Sequence, residues 1–213
     1  MKLLLATRSA GKTREIRELF AGLPFELAFP GRPGGGLEPR PEEADLERGT
    51  SYAEHAVAKA RYFAERSGLA TCADDSGIEV DALGGAPGVD SARFAELAGG
   101  GRASGAGGQD AANNAFLLEK LLGVPEERRT ARYRCVVAYL ETPMGVPELV
   151  EATCEGFILT APRGAGGFGY DPLFFSAELQ MSFGEAPAAS KHRVSHRGRA
   201  FRALIEVLLR RSK

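Results

Sequence analysis

Apolar residues along the chain alternate between short continuous runs and helically spaced stripes, a pattern that predicts a mixed α/β protein. Residues 3–6 form a continuous apolar run typical of a short buried strand. From Thr13 onward, apolar residues recur at the spacing of a single helix face, at Ile16, Leu19, Phe20 and Leu23. The chain therefore opens with a strand, a polar loop at residues 7–12 and a helix.

A second helix is predicted to begin at Ser51, because Glu54 follows three residues later and the two residues can form a capping box. Gly68 is placed to end this helix. Residues 69–73 then form an apolar run that predicts a strand, and this strand leads directly into a pair of adjacent aspartates.

The remaining chain continues the mixed pattern. Residues 130–141 and 148–159 predict two strands, whereas residues 30–43 and the glycine-rich residues 98–109 predict exposed loops, the second of them flexible. Because strands and helices do not alternate strictly, the order favours a mixed sheet with flanking helices over a purely parallel one. A length of 213 residues suits a single domain spanning residues 1–213.

Two further helices are predicted from the apolar spacing. One can be capped by Asp110, carries Phe116, Leu117, Leu121 and Leu122, and is closed by Gly123. The other begins at about Arg197 and is predicted to bury Phe201, Leu204, Ile205 and Leu208.

Composition narrows the function and the location. A formal net charge of −1 provides no global basic field, which argues against a nucleic acid polymer as the partner. No apolar run is long enough for a signal peptide or a membrane span, so we expect a cytoplasmic protein that does not act at a membrane. The three cysteines lie in apolar surroundings without close pairing and are interpreted as buried thiols of a reducing compartment.

The polar loop at residues 7–12 is a candidate anion site. A loop between a strand and a helix presents free backbone N–H groups at the positive end of the helix dipole. Gly11 and Lys12 would supply close approach and charge, although the glycine spacing is not that of a P-loop. Taken alone, the same pair is also typical of an ordinary turn with a solvated lysine.

The adjacent aspartates, Asp74 and Asp75, form a second candidate for chemistry. Two carboxylates after an apolar strand need cations or hydrogen bonds, and strand alternation turns only one of them toward a given site. Mg²⁺ typically takes one or two carboxylates with water and phosphate oxygens, and Glu47 is a plausible second ligand. The alternatives are a turn bent at Gly77 with an aspartate as its cap, and a surface role for Glu47.

A third polar stretch follows residue 165. Glycines flank Phe168 and would leave its ring open to a flat ligand, while Asp171 could accept a hydrogen bond from a ring N–H. Core packing is the alternative for the two aromatic residues. Cations near the start of the last helix oppose the helix dipole, so an anionic or electron-rich partner would explain Lys191, His196 and Arg197.

Taken together, these segments resemble the inosine triphosphate pyrophosphatase family, also called XTP/dITP diphosphatases or non-standard purine NTP pyrophosphatases. The match extends over essentially the whole chain. The segments that carry it are Ala6-Thr7 to Glu15, Glu47 to Ala60, Ala73 to Ala95, Phe168 to Pro172, and Lys191 to Gly198. The resemblance implies an elongated, twisted mixed sheet with flanking helices, two lobes around a central cleft, and a homodimer.

The resemblance also implies a reaction and a role for each matching residue. Water would attack the α-phosphorus of ITP, dITP or XTP and release pyrophosphate, with Asp75 activating the water and Glu47 and Asp75 holding Mg²⁺. The triphosphate would be held by Thr7, Arg8, Ser9, Ala10, Gly11 and Lys12, with Lys59 neutralising charge and Ser76 touching substrate. The base would be surrounded by Phe168, Gly169, Tyr170, Asp171, Lys191, His196 and Arg197.

The sequence departs from the family pattern at four positions. Thr7-Arg8-Ser9 stands where the family usually has Thr-Gly-Asn, His55 where it has Asn, and Asp90 where it commonly has Tyr. Two alternative functions remain open at this point: a pyrophosphatase of the related Maf-like group, acting on pyrimidine or modified nucleotides, and a non-catalytic nucleotide sensor.

Overall fold

The computed structural model describes residues 1–31, 36–100 and 108–211. Its seven-stranded sheet has the order β2-β1-β3-β4-β5-β6-β7. The strands are β1 (Lys2–Leu5), β2 (Glu26–Ala28), β3 (Thr71–Val80), β4 (Thr130–Leu140), β5 (Glu148–Ile158), β6 (Phe174–Ser176) and β7 (Met181–Ser182). β1 pairs in parallel with β2 and β3, whereas β5–β6 and β6–β7 are antiparallel. The prediction of a mixed sheet is therefore confirmed.

Helices flank the sheet: α1 (Ala10–Leu19), α2 (Tyr52–Ser67), α3 (Gly108–Lys120), α4 (Ala188–Val194) and α5 (His196–Arg211). Within the described ranges, none of them combines the length and apolarity that crossing a bilayer requires. The predicted capping box of α2 is present, because the Ser51 hydroxyl accepts from Glu54 N and the Glu54 carboxylate accepts from Ser51 N. Gly68 ends α2 in the left-handed conformation at φ 67°.

Three element boundaries differ from the prediction. α3 begins at Gly108, so Asp110 lies in its first turn and does not cap it. α1 begins at Ala10 rather than near Thr13, because the Ser9 hydroxyl caps the helix by accepting from Lys12 N. β3 does not end at the aspartates but continues to Val80, so the alternative of a turn bent at Gly77 is wrong. Asp74 and Asp75 therefore lie inside an extended strand, and their side chains alternate between its two sides.

The chain divides into two compact units. Unit 1 comprises residues 1–75, 135–152 and 197–213, and its core joins β1 and α1 to the apolar face of α5, including Leu3, Ile16, Phe20, Phe201 and Leu204. Unit 2 comprises residues 76–134 and 153–196, and its core includes Ile78, Leu117, Tyr133, Phe174 and Phe183.

The predicted surface segments are reproduced only in part. Residues 36–40 are irregular and largely exposed, but a 3₁₀ segment begins at Pro41 and extends to Glu47. Residues 101–107, which form most of the predicted glycine-rich loop, lie outside the described residues. Of the leucines assigned to the helix that follows Asp110, Leu117 and Leu121 are fully buried, whereas Leu122 is 77% exposed.

The three cysteines, Cys72, Cys135 and Cys154, are buried free thiols, as predicted. Burial raises the pKa of the Cys72 and Cys135 thiols well above the ordinary value. Both effects make these sulfurs poor nucleophiles in the folded protein.

Candidate active site

The side chain of Lys59 brings the two predicted metal ligands together in unit 1. Its Nζ lies 2.6 Å from Asp75 Oδ1 and 3.1 Å from Glu47 Oε1. Lys59 comes from the middle of α2, Asp75 from β3, and Glu47 from the end of the 3₁₀ segment that precedes α2. Three separate stretches of sequence thus converge on one ammonium group, and Asp75 is only 6% exposed there.

The electrostatics of this contact favour the charged forms. Burial alone would lower the pKa of Lys59, but the carboxylates of Asp75 and Glu47 outweigh it and raise this pKa above its ordinary value. Burial alone would raise the pKa of Glu47, but the charge of Lys59, helped by Lys12, lowers it. The Glu47 carboxylate and the Lys59 ammonium therefore persist as ions across the neutral pH range.

Asp74 joins a second set of charges in the same unit. Its Oδ2 lies 2.9 Å from Lys12 Nζ and 3.2 Å from Arg197 Nε, and Arg197 Nη1 is 2.6 Å from Glu15 Oε2. Burial would raise the pKa of Asp74, but Lys12 and Arg197 hold it well below its usual range. We call Lys12, Glu47, Lys59, Asp74 and Asp75 the carboxylate–lysine centre.

The depressed pKa of Asp74 predicts how stability depends on pH. A carboxyl group whose pKa is lower in the folded than in the unfolded state stabilises the fold above the unfolded value, and this contribution is lost as the pH falls. We expect the free energy of unfolding to decline below the ordinary Asp pKa of 3.8. The Asp74 contribution to the slope is up to about 1.4 kcal/mol per pH unit.

Urea unfolding of the wild type and of Asp74→Asn between pH 7 and pH 3 measures this dependence. The Asn variant should be less stable at neutral pH and should lose less stability on acidification. Equal acid slopes for the two proteins would contradict the assignment.

The predicted phosphate loop, residues 7–12, is connected to the carboxylate–lysine centre by Lys12, whose Nζ contacts Asp74. Ser9 and Ala10 are exposed, Thr7 and Gly11 are partly exposed, and Ser9 N donates to Thr7 Oγ1 at 3.2 Å. The Ser9 hydroxyl caps α1 by accepting from Lys12 N. The N–H groups of Ser9 and Lys12 are therefore already paired within the loop, which reduces the number of backbone donors on which the prediction of an anion site depends.

Arg8 has contacts that differ from the predicted phosphate role. Its guanidinium donates to both carboxylate oxygens of Glu43, at 2.5 and 2.7 Å, and to the Leu37 carbonyl at 2.9 Å. Arg66 also donates to Glu43, at 3.1 Å. Arg8 thus anchors the backbone at Leu37 and the 3₁₀ segment at Glu43. These contacts explain why an arginine can stand where the family usually has glycine.

Unit 2 gathers three of the residues predicted to surround a base. Asp171 Oδ2 accepts from Lys191 Nζ at 2.5 Å and from Phe168 N at 2.8 Å. Lys191 Nζ also lies 5.2 Å from the centre of the Phe168 ring and 5.4 Å from that of Phe183, which suits cation–π attraction. We call Phe168, Asp171, Phe183 and Lys191 the aromatic–lysine cluster.

The packing around Phe168 also explains why glycine is needed beside it, in addition to the predicted opening of the ring face. Gly167 adopts φ 74°, and a Cβ there would lie 2.0 Å from Asp171 Oδ2. Gly169 is held on both sides, because its N–H donates to Asp110 Oδ2 at 2.7 Å and its carbonyl accepts from Asn114 Nδ2 at 2.9 Å. Asp110 therefore contacts the Phe168 segment as well as lying in the first turn of α3.

The other residues predicted to surround the base do not share one environment. Tyr170 is buried in the core of unit 2 and donates to the Ser91 carbonyl at 2.8 Å, so for this ring the packing alternative holds. His196 stacks on Tyr133 at 4.5 Å between ring centres. Arg197, one residue later, belongs to unit 1 and its carboxylate pairs. Ser76 is partly exposed in β3 directly after Asp75.

Several residues of these clusters had no site role assigned from the sequence. Glu15 and His55 are buried at 5% and 2% exposure, and Tyr133 and Phe183 supply rings to unit 2. Glu15 lies next to Ile16 on the buried face of α1, and an acidic residue beside that apolar stripe was one signal in the sequence. The departure at His55 was another, but its partner Asp75 is 20 residues away.

The donors of the carboxylate–lysine centre fit a magnesium ion. Glu47 and Asp75 supply carboxylate oxygens that converge on one place, and Mg²⁺ usually takes one or two carboxylates with water and phosphate oxygens. Over residues 1–31, 36–100 and 108–211, no group of three or more His, Cys, Asp or Glu side chains is placed to hold a metal ion unaided. The donor set is thus one that a phosphate-bearing ligand would complete.

The mixed sheet and the two charged clusters define an α/β protein whose buried acidic and basic groups suit a phosphorylated ligand. Residues 3–207 match the model of the Ham1 family, and the chain belongs to that family. A relative from Desulforamulus reducens, named dITP/XTP pyrophosphatase, is 45% identical over 210 residues, covering 99% of this chain and 96% of the relative. The family resemblance seen in the sequence is confirmed.

Solved structures agree with this assignment. A HAM1 protein from Coxiella burnetii is similar with a TM-score of 0.79 and 32% identity, and the match covers 99% of both chains. A nucleoside-triphosphatase, or dITP/XTP pyrophosphatase, from Mycobacterium abscessus is similar with a TM-score of 0.66 and 39% identity, over 96% of this chain and 98% of the other.

Proposed function

We propose that this protein hydrolyses non-standard purine nucleoside triphosphates, namely ITP, dITP and XTP, to the nucleoside monophosphate and pyrophosphate. The observation that carries the proposal is the convergence of Glu47 and Asp75 on Lys59, with Lys12 contributing to the same electrostatic field. The near full-length similarity to relatives named dITP/XTP pyrophosphatase supports the choice of substrate.

In the proposed reaction, the oxygen of water forms a bond to the α-phosphorus, and the bond from that phosphorus to the oxygen bridging to the β-phosphorus breaks. The water proton passes to the carboxylate of Asp75, and pyrophosphate leaves with the bridging oxygen. Mg²⁺, held by Glu47 and Asp75, would supply positive charge to the phosphate oxygens when bound. Lys12 and Lys59 add positive charge, which catalysis of phosphoryl transfer mainly requires.

Base selection follows from the hydrogen-bonding groups of the aromatic–lysine cluster. Lysine only donates, and the oxygen at position six of hypoxanthine or xanthine accepts. Adenine carries an amino group there, so a donor would face a donor, and an unmet buried polar group costs roughly 1–3 kcal/mol. Phe168, partly exposed beside Lys191, offers a ring face to a flat base.

This assignment predicts the effect of Lys191→Met. The ratio of kcat/KM for ITP to that for ATP should fall about 5- to 100-fold, since one donor–acceptor contact is lost. The matched control is Lys120→Met, because Lys120 also lies over an aromatic ring, that of Phe116, but is exposed. An unchanged ITP/ATP ratio in a folded Lys191→Met protein would remove Lys191 from base recognition.

A substrate panel tests the function itself. Purified protein with Mg²⁺ is given ITP, dITP, XTP, ATP, GTP and pyrimidine triphosphates, and pyrophosphate and orthophosphate are measured separately. We expect pyrophosphate from the first three substrates. Preference for pyrimidine nucleotides would indicate the Maf-like activity, binding without turnover would indicate a sensor, and equal efficiency on ATP and ITP would overturn the base assignment.

We propose two further properties, a homodimer and a cytoplasmic location. A homodimer is expected from the family and is tested by light scattering of the eluting protein. A cytoplasmic location is supported by the three free thiols, which are usual in reducing compartments, and is tested by fractionation of the source cells.

A further inference from the structure

The imidazole of His55 connects Asp75 to the segment that carries Glu47. The ring is 2% exposed; its Nδ1 lies 3.0 Å from Asp75 Oδ2, and its Nε2 lies 2.8 Å from the Gly49 carbonyl oxygen. His55 is in the first turn of α2, one helical turn before Lys59, so both side chains project toward Asp75.

The two oxygens of Asp75 are therefore divided between two partners. Oδ1 accepts from Lys59 Nζ, and Oδ2 faces His55 Nδ1. Because a carbonyl oxygen can only accept, the Nε2 of His55 donates to Gly49 O, which fixes the orientation of the ring. One proton lies in the Nδ1–Oδ2 contact, and this hydrogen bond sets the rotation of the Asp75 carboxylate about its Cβ–Cγ bond.

The backbone at Gly49 is closely fitted to this contact. A Cβ there would lie 2.8 Å from Glu54 Cβ and 3.1 Å from His55 Cδ2. Gly49 follows Glu47 by two residues, so the hydrogen bond to its carbonyl links the Glu47 segment to Asp75 through a single rigid ring. Lys59 makes a second link between the same two segments.

We propose that His55 is a positioning residue that holds the Asp75 carboxylate in its reactive orientation. The inference rests on the proposed function, since it assigns to His55 a part in the work of Asp75. His55 acts through its Nδ1 contact, and the Gly49 contact serves to aim the ring. Asn, which the family usually has at this position, could replace the first contact but not the second.

Two amide variants separate the contacts. The amide nitrogen of Asn occupies nearly the position of Nδ1, whereas that of Gln occupies nearly the position of Nε2. His55→Asn should keep kcat for ITP within about fivefold of wild type, less than the loss of one hydrogen bond to a charged group. His55→Gln and His55→Phe should lower kcat about 10- to 100-fold, as changes to groups that orient a ligating side chain commonly do.

Two further measurements distinguish positioning from mere packing. Thermal unfolding measures the stability of the three variants. If the role of His55 were purely structural, kcat would fall in the same order as stability. Long-range ¹H–¹⁵N spectra of the imidazoles, of which the chain has three, report the ring of His55 directly. Its Nδ1 signal should move in Asp75→Asn and remain in place in His192→Gln, the control.

Each outcome decides the proposal. A Gln variant that is slower than the Asn variant at equal or greater stability, with an Asp75-dependent Nδ1 signal, supports it. The proposal is overturned if the variants are active but His55→Asn is no faster than His55→Gln. It is also overturned if the His55 Nδ1 signal does not change in Asp75→Asn. A wild type that releases no pyrophosphate overturns the proposed function instead, and the imidazole spectra then still decide whether His55 and Asp75 are bonded.

Discussion

Replacing Asp75 by Asn is expected to lower the rate of pyrophosphate release from ITP about 10²–10³-fold, the usual effect of losing one electrostatic contact to the transition state. Asn has the same size but lacks the charge needed to bind Mg²⁺ and to take a proton from water. The buried contact with Lys59 would lose its charge, while Glu47 still faces the same ammonium.

The matched control is Asp45→Asn, because Asp45 lies two residues before Glu47 but is exposed and pairs across one turn with Arg48. Its rate should remain near that of the wild type. Circular dichroism and thermal unfolding establish that Asp75→Asn is folded. Retention of more than about a tenth of wild-type turnover would contradict the role of Asp75 as ligand and base.

Replacing Arg197 by Met is expected to lower the free energy of unfolding by about 3–5 kcal/mol, the usual cost of removing one partner of a buried ion pair. Arg197 is 3% exposed, and its loss would remove a buried cation from the carboxylates of Asp74 and Glu15 in unit 1, although Lys12 still contacts Asp74. Urea unfolding at neutral pH measures the change.

Two comparisons make this prediction specific. Arg210→Met, in the last turn of the same helix and exposed, should change stability by no more than about 0.5 kcal/mol. Adding Glu15→Gln to Arg197→Met should restore part of the loss, because it removes one buried negative charge that Arg197 had balanced. A loss below about 1 kcal/mol for Arg197→Met would contradict the prediction and show that Lys12 or water compensates the carboxylates without Arg197.

Local chemistry allowed much of the fold to be predicted. The capping box at Ser51 and Glu54, the left-handed Gly68 and the apolar stripe of α5 all depend on residues within one or two helical turns of each other. Such signals are readable in a single chain because the partners are neighbours in sequence. Where the prediction failed, at the start of α1 and the end of β3, a side-chain cap and sheet pairing decided the boundary.

The sequence predicted which residues form the candidate site better than it predicted which residues they contact. Glu47, Lys59 and Asp75 were assigned to one site from their motifs, and they lie together. Arg8 binds Glu43, 35 residues away, and Arg197 binds Glu15, 182 residues away. No periodicity or spacing encodes pairs at such separation, so the sequence could indicate the need for a partner but not its identity.

Because the three thiols are buried, a cysteine introduced at the surface could be labelled selectively. Because Cys72, Cys135 and Cys154 are buried, maleimide reagents should react with them slowly in the native state. A cysteine introduced at Met144, a side chain that is 85% exposed, should therefore be labelled selectively without removing the native ones. Counting labels by mass spectrometry checks this, and it would open the molecule to fluorescence and spin-probe experiments in its natural background.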